Sequence, residues 1–251
     1  MSGVALITGG QQGIGLGIAA ALHGAGWQLA LAAELAPDAQ AVTEALAVLP
    51  GALYLRHDVA QIDAVPALLD SVERQLGPVT TLVSNAGVPA MQRGDLLDMT
   101  AESFDRCMAV NLRGAFFLAQ AVARRMVALP DTPYRSIHVV TSVSAAMVST
   151  DRAEYCISKA GASMMTAALA ARLAADGIGV FELRPGIVAT PMTAPVAGRY
   201  DARIRDGLVP ARRWGTPADV GRAVVPLAQG AFGFATGSVI ALDGGLSIQR
   251  L

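Results

Sequence analysis

The chain has 251 residues, 53% hydrophobic and 16% charged, enough to bury one large core. A formal net charge of −1 lacks the basic excess that nucleic acid or an anionic membrane would demand, so the expected partner is a small molecule. No run of about eighteen apolar residues escapes polar interruption, and the apolar N-terminal stretch lacks a basic flank before Gly9-Gly10-Gln11-Gln12-Gly13 breaks it; a soluble, cytoplasmic protein is expected.

Residues 4–7 read as a short apolar strand, followed by a glycine turn and a helix from Ile14 to His23 that Gly24 and Gly26 end. The pattern repeats with a strand at 29–32, a helix over about 38–48, and a third strand opening at 53–55 and ending at Asp58 and Val59. A helix over 65–76 leads to a strand at 81–84. Then come a long helix over about 101–129, a strand at 136–141, a helix over about 154–176, and strands at 178–183 and 239–242. This alternation requires a parallel sheet with helices on both faces: an α/β, Rossmann-type doubly wound sheet of about seven strands in a single domain, 1–251. Residues 191–213, rich in Pro, Gly and Arg with a weak helical signal at 201–206, are long for a connection and read as a substrate lid or cap.

Thr8-Gly9-Gly10-Gln11-Gln12-Gly13-Ile14-Gly15 joins the first strand to the first helix, where free N–H groups and the helix dipole favour a pyrophosphate. Its spacing departs from G-x-G-x-x-G, so its position at the first βα junction carries the signal. Tyr155 and Lys159, four apart on a helix, share one face, and Ser142 lies thirteen residues upstream of the Tyr. A free phenol, with a pKa of about 10, is a poor acid or base at neutral pH. A neighbouring ammonium can bring it into range. Together these features point to a carbonyl or alcohol oxidoreductase. Cys107 and Cys156 are isolated thiols, and His23, His57 and His138 are scattered, so no metal site is expected.

The ordered set Thr8 to Gly15, Asn85-Ala86-Gly87, Asn111, Ser142, Tyr155 with Lys159, and Pro185-Gly186 followed by Thr190 resembles the short-chain dehydrogenase/reductase family over essentially the whole chain. The resemblance implies that Tyr155 exchanges a proton with the carbonyl oxygen and that Ser142 stabilises charge on it. It implies that Lys159 binds nicotinamide ribose and lowers the phenol pKa, while Asn111 holds a relay water. Cofactor contacts are implied for Thr8, Gly9, Gln12, Gly13, Ile14, Gly15, Glu34, Asp58, Val59, Asn85, Ala86, Gly87, Tyr155, Lys159, Pro185, Gly186, Val188 and Thr190.

Relatives that use NAD often carry Asp where this chain has Ala33, whereas NADP users often carry Arg at the positions of Glu34 and Gln12. With a carboxylate and no cation there, NAD is the expected preference over NADP. The chain also resembles bacterial 3-oxoacyl-carrier-protein reductases, yet Asp176 stands where carrier-using relatives place a basic residue. A small hydroxy ketone, diol or polyol is therefore the expected substrate, with an acyl-carrier or CoA thioester as the alternative. Met91, Gln92, Ala145, Met147, Glu154 and Met192 are expected on the substrate side. Arg199, Arg203, Arg205, Arg212 and Arg213 outnumber Asp201 and Asp206 in the excursion and read as solvated surface or subunit contact. Family members pair their two long helices across a subunit interface, which implies a homotetramer, or else a dimer. A nonenzymatic dinucleotide sensor would need neither Ser142 nor Tyr155, and a nucleotide-sugar epimerase would carry a G-x-x-G-x-x-G turn.

Overall fold

The computed structural model describes residues 3–129 and 133–250. Seven parallel strands, β1 Val4–Thr8, β2 Gln28–Ala33, β3 Leu53–Arg56, β4 Val79–Ser84, β5 Arg135–Val140, β6 Ile178–Pro185 and β7 Val239–Leu242, lie in the order β3-β2-β1-β4-β5-β6-β7. Every residue of β1 and β4 is buried, so neither strand alternates between a buried and an exposed face; Thr80, Thr81 and Ser84 are buried in β4 alongside its apolar residues.

Strand periodicity divides the core into two layers. Val4, Leu6, Leu82, Ile137 and Val139 pack with α3 (Val65–Leu76), α5 (Ala115–Ala128) and α6 (Ala153–Leu173). Ala5, Ile7, Val83, Phe181 and Leu183 pack with α1 (Gly13–Gly24) and α8 (Pro217–Ala228). A Cβ on Gly17 would lie 2.4 Å from the Pro217 carbonyl oxygen, and one on Gly221 would lie 2.3 Å from that of Gly17, so α1 and α8 meet backbone to backbone. The chain winds from β1 outward through β2 to β3, then returns to place β4 on the other side of β1. At such a reversal neighbouring loops leave in opposite directions, and a crevice opens beyond the strand ends.

Several expected elements differ. The helix expected over 101–129 is divided into α4 (Ala101–Met108), a π-helical turn at Ala109–Gly114, and α5. Asn111 bonds the 88 loop from within that turn, and a Cβ on Gly114 would lie 2.2 Å from the Val59 carbonyl oxygen. One extra residue per turn shifts the register without erasing the apolar pattern. The second helix, α2 (Gln40–Val48), starts two residues later than expected, β3 stops at Arg56, and α6 ends at Leu173 in a 3₁₀ turn closed by left-handed Gly177. In the excursion, α7 (Ala197–Arg205) is longer than its sequence signal and is anchored by buried Ile204. The helix α8 was not anticipated, although Thr216 and Asp219 form a reciprocal capping box and Pro217 occupies the first turn. No helix among the described residues is long and apolar enough to cross a membrane.

Candidate active site

The first βα turn is shaped for an anion. Gly9 and Gly13 have left-handed φ values of 64° and 53°, and α1 begins at Gly13 with no side-chain cap and no acidic residue in its first turn. Its free N–H groups and positive dipole end therefore face the crevice. A Cβ on Gly15 would lie 2.1 Å from the Gly9 carbonyl oxygen, so no side chain fits beneath the turn.

Thr8 and Asn85 lock this turn to β4. The Asn85 and Ala86 N–H groups each donate to Thr8 Oγ1 at 3.0 Å. Asn85 Nδ2 donates to the carbonyls of Thr8 at 2.9 Å and Gly9 at 3.2 Å. Gly9, Gln12, Gly13, Ile14, Glu34, Asp58, Val59, Asn85, Ala86, Gly87, Tyr155, Lys159 and Thr190 line one continuous cleft. Thr8 and Gly15 lie outside that lining and shape the turn from behind. Gln11, not anticipated as a site residue, also lines the cleft and holds a buried Oε1 without a hydrogen-bond donor. The glycine cradle, the open amides and this unpaired acceptor together fit a dinucleotide.

A second cavity adjoins the first, and Ile14, Thr141, Tyr155, Thr190 and Met192 line both. Ser142, Pro185, Gly186 and Val188 line the second. Tyr155 thus stands at the junction of the two chambers. Burial raises its phenol pKa, while the hydrogen bond with Ser142 and the charge of Arg152 pull it down. The sequence assigned that lowering to Lys159. Its ammonium instead lies 5.8 Å from the Tyr155 ring centre and donates to the Val140 carbonyl at 3.0 Å. Burial lowers the Lys159 pKa to about 8, against the raising influence of Cys107 and Glu182.

Asn111 is a brace. Its Oδ1 accepts from the Val88 N–H at 2.8 Å, and its Nδ2 donates to the Val88 carbonyl and to Ser158 Oγ, both at 3.0 Å. These bonds fix the 88 loop against α6 and occupy most of the amide expected to hold a water.

On the substrate side, Met147 and Met192 line the second cavity, whereas Met91, Gln92, Ala145 and Glu154 do not. Glu154 is turned inward, 2% exposed, and accepts from Ser103 Oγ at 2.6 Å. Met91 and Gln92 are exposed, while Arg93 between them and the next turn is drawn to Asp151 at 3.0 Å and lines the cavity in their place. For Ala145, the lining passes to Ser144 and Met147 on either side. Arg152, Tyr200 and Arg203 also line this cavity and were not anticipated there. Among the described residues, no three His, Cys, Asp or Glu side chains form a metal-binding group.

Residues 9–247 match the family model described as Enoyl-(Acyl carrier protein) reductase. The chain belongs to the short-chain dehydrogenase/reductase family. As a member it is an NAD(P)-dependent oxidoreductase interconverting an alcohol and a carbonyl compound. It is 35% identical over 247 residues to the 3-oxoacyl-[acyl-carrier-protein] reductase MabA of Mycobacterium bovis, covering 97% of this chain and 92% of that one. The crystal structure of a 3-oxoacyl-[acyl-carrier protein] reductase from Brucella melitensis in complex with NAD is similar at TM-score 0.95 and 47% identity, covering 100% of this chain and 99% of that one. A protein from Agrobacterium tumefaciens with bound NADP, provisionally assigned as a 2-deoxy-D-gluconate 3-dehydrogenase, is similar at TM-score 0.86 and 30% identity, covering 98% and 96%.

Proposed function

We propose that the chain interconverts a small secondary alcohol and its ketone, with Tyr155 as the acid and base. The observation that carries this is the position of Tyr155 at the junction of the two chambers, with Ser142 beside it on the wall of the second. When bound, the nicotinamide supplies or accepts the hydride. In reduction, Tyr155 Oη gives its proton to the carbonyl oxygen, and in oxidation it takes the proton back. Ser142 Oγ hydrogen-bonds that oxygen and steadies the charge that grows on it. Lys159, buried beside the ring, binds the nicotinamide ribose hydroxyls, and Asn111 keeps α6 and the 88 loop in register around it. The turn from Gly9 to Gly13 takes the pyrophosphate, Asp58 and Val59 meet the adenine edge, and Thr190 with Val188 meets the nicotinamide.

Glu34 lines the cleft at the end of β2, and its carboxylate favours ribose hydroxyls over a 2′-phosphate, which supports NAD as the preferred cofactor. Arg56, whose Nε donates to the Glu34 carbonyl at 3.0 Å, brings a cation to that edge as well. Residues 191–213, with α7, form the lid over the substrate chamber. The exposed side chains Phe117 of α5 and Ile157 and Met164 of α6 support burial of these helices against other subunits in a cytoplasmic homotetramer, and a monomeric mass by sedimentation would contradict it.

A second reading, reduction of a 3-oxoacyl thioester, is favoured by similarity to the M. bovis and B. melitensis proteins. Asp176, which argued against a carrier protein, is paired with Arg172 at 2.7 Å, so its negative charge is locally offset. An NAD(P)H-linked screen of ketones, sugars and acyl thioesters decides between the two. Turnover of free ketones supports the first, and turnover of thioesters alone supports the second.

A further inference from the structure

The substrate chamber carries a cationic surplus beside the reacting group, with Arg93 and Arg152 sharing the charge of the single carboxylate Asp151 and Arg203 in no ion pair among the described residues. Arg93, Arg152 and Arg203 line it, and no Asp or Glu among the described residues does. Arg93 is spoken for by Asp151, and Asp151 is further held by a hydrogen bond from Ser149 Oγ. Glu154, the other carboxylate next in sequence, points into the protein toward Ser103. Arg152 is left without a salt bridge among the described residues, and its Nε–H is buried without an acceptor. Its guanidinium carbon lies 5.4 Å from the centre of the Tyr155 ring. A buried, unpaired guanidinium N–H is costly unless a ligand meets it, and a planar fork is matched by a carboxylate.

Resting on the alcohol–ketone reading above, we infer that Arg152 binds a carboxylate of the substrate, so that the substrate is a short oxo acid or hydroxy acid with its acid group a few bonds from the reacting carbon. The closeness of Arg152 to the phenol sets that short separation. A carrier-bound thioester has no negative charge around its carbonyl and leaves Arg152 unmatched. Arg203, on α7 and also free of salt bridges among the described residues, adds attraction for the same anion from the lid side.

The test compares kcat/KM for short 2-oxo, 3-oxo and 4-oxo acids with that for their methyl esters, in the wild type, Arg152→Gln and Arg152→Lys. NADH binding and thermal melting establish that each variant is folded. At least one acid is expected to exceed its ester by about tenfold or more in the wild type, the size of a charge-assisted hydrogen bond. Arg152→Gln should collapse that ratio mainly through KM, and Arg152→Lys should retain part of it. Esters or thioesters matching or exceeding every acid would overturn the inference. So would an Arg152→Gln variant that slows acid and ester equally, since Arg152 would then act only on the Tyr155 proton. Failure to turn over any carbonyl compound would overturn the alcohol–ketone reading itself.

Discussion

The two chambers that meet at Tyr155 are built from different materials. The dinucleotide chamber is made of backbone: left-handed glycines, open helix amides, and the Thr8–Asn85 clasp that ties adjacent strand ends. The substrate chamber is made of side chains on loops and on α7, with Met147, Val148 and Met192 exposed at its walls. A site built from backbone tolerates few residue types at each position, whereas one built from loop side chains can change its chemistry by exchanging single residues. Cofactor use should therefore be brittle and substrate choice adjustable.

The sharpest way to break this contrast is a paired substitution. Gly15→Ala drives a methyl against the Gly9 carbonyl and should weaken NADH binding on the order of a hundredfold by fluorescence titration. Met147→Ala should leave NADH affinity within about threefold and alter only the KM for substrate. Comparable losses of NADH affinity from both would erase the distinction. Next in size, alcohol oxidation should rise with pH from neutral until Lys159 begins to lose its proton near pH 8, by up to about tenfold per unit. The phenol pKa is raised, so the phenolate that oxidation needs is scarce at neutral pH and grows as pH climbs. Ketone reduction needs the protonated phenol and charged Lys159, and should stay level until Lys159 begins to lose its proton near pH 8. Smaller still, Glu34→Arg should shift the NADPH to NADH ratio of kcat/KM by about tenfold toward NADPH. Away from both chambers, Thr216→Ala removes the α8 cap and should cost about 1 kcal/mol in denaturant melts without changing either affinity.

Legibility in the sequence follows the same divide. The seven strands and the turn from Gly9 to Gly13 could be read because short apolar runs and glycine geometry constrain residue type directly, whereas the strand order and the division of the core into two layers come from the structure. The π turn at Asn111 could not, since hydrophobic spacing does not record one inserted residue that is held by hydrogen bonds to Val88. Helix α8 had a capping box to announce it, but Gly221 and Pro226 within it mask the helical pattern. Glu154 was misplaced because it neighbours Tyr155 in sequence. Successive helical residues are turned about 100° apart, which sends Glu154 inward to Ser103. Helical spacing gives no signal for Arg152, which stands just before α6 with non-helical backbone (φ −160°, ψ 46°) and still brings its guanidinium over the Tyr155 ring.

Proton transfer by Tyr155 at the junction is the central claim, and Tyr155→Phe tests it most directly. NADH titration and steady-state turnover of a ketone substrate would be measured on the same preparation. NADH affinity should stay within a few fold of the wild type while turnover falls by about a thousandfold or more. Turnover at the wild-type rate would contradict the role of the phenol.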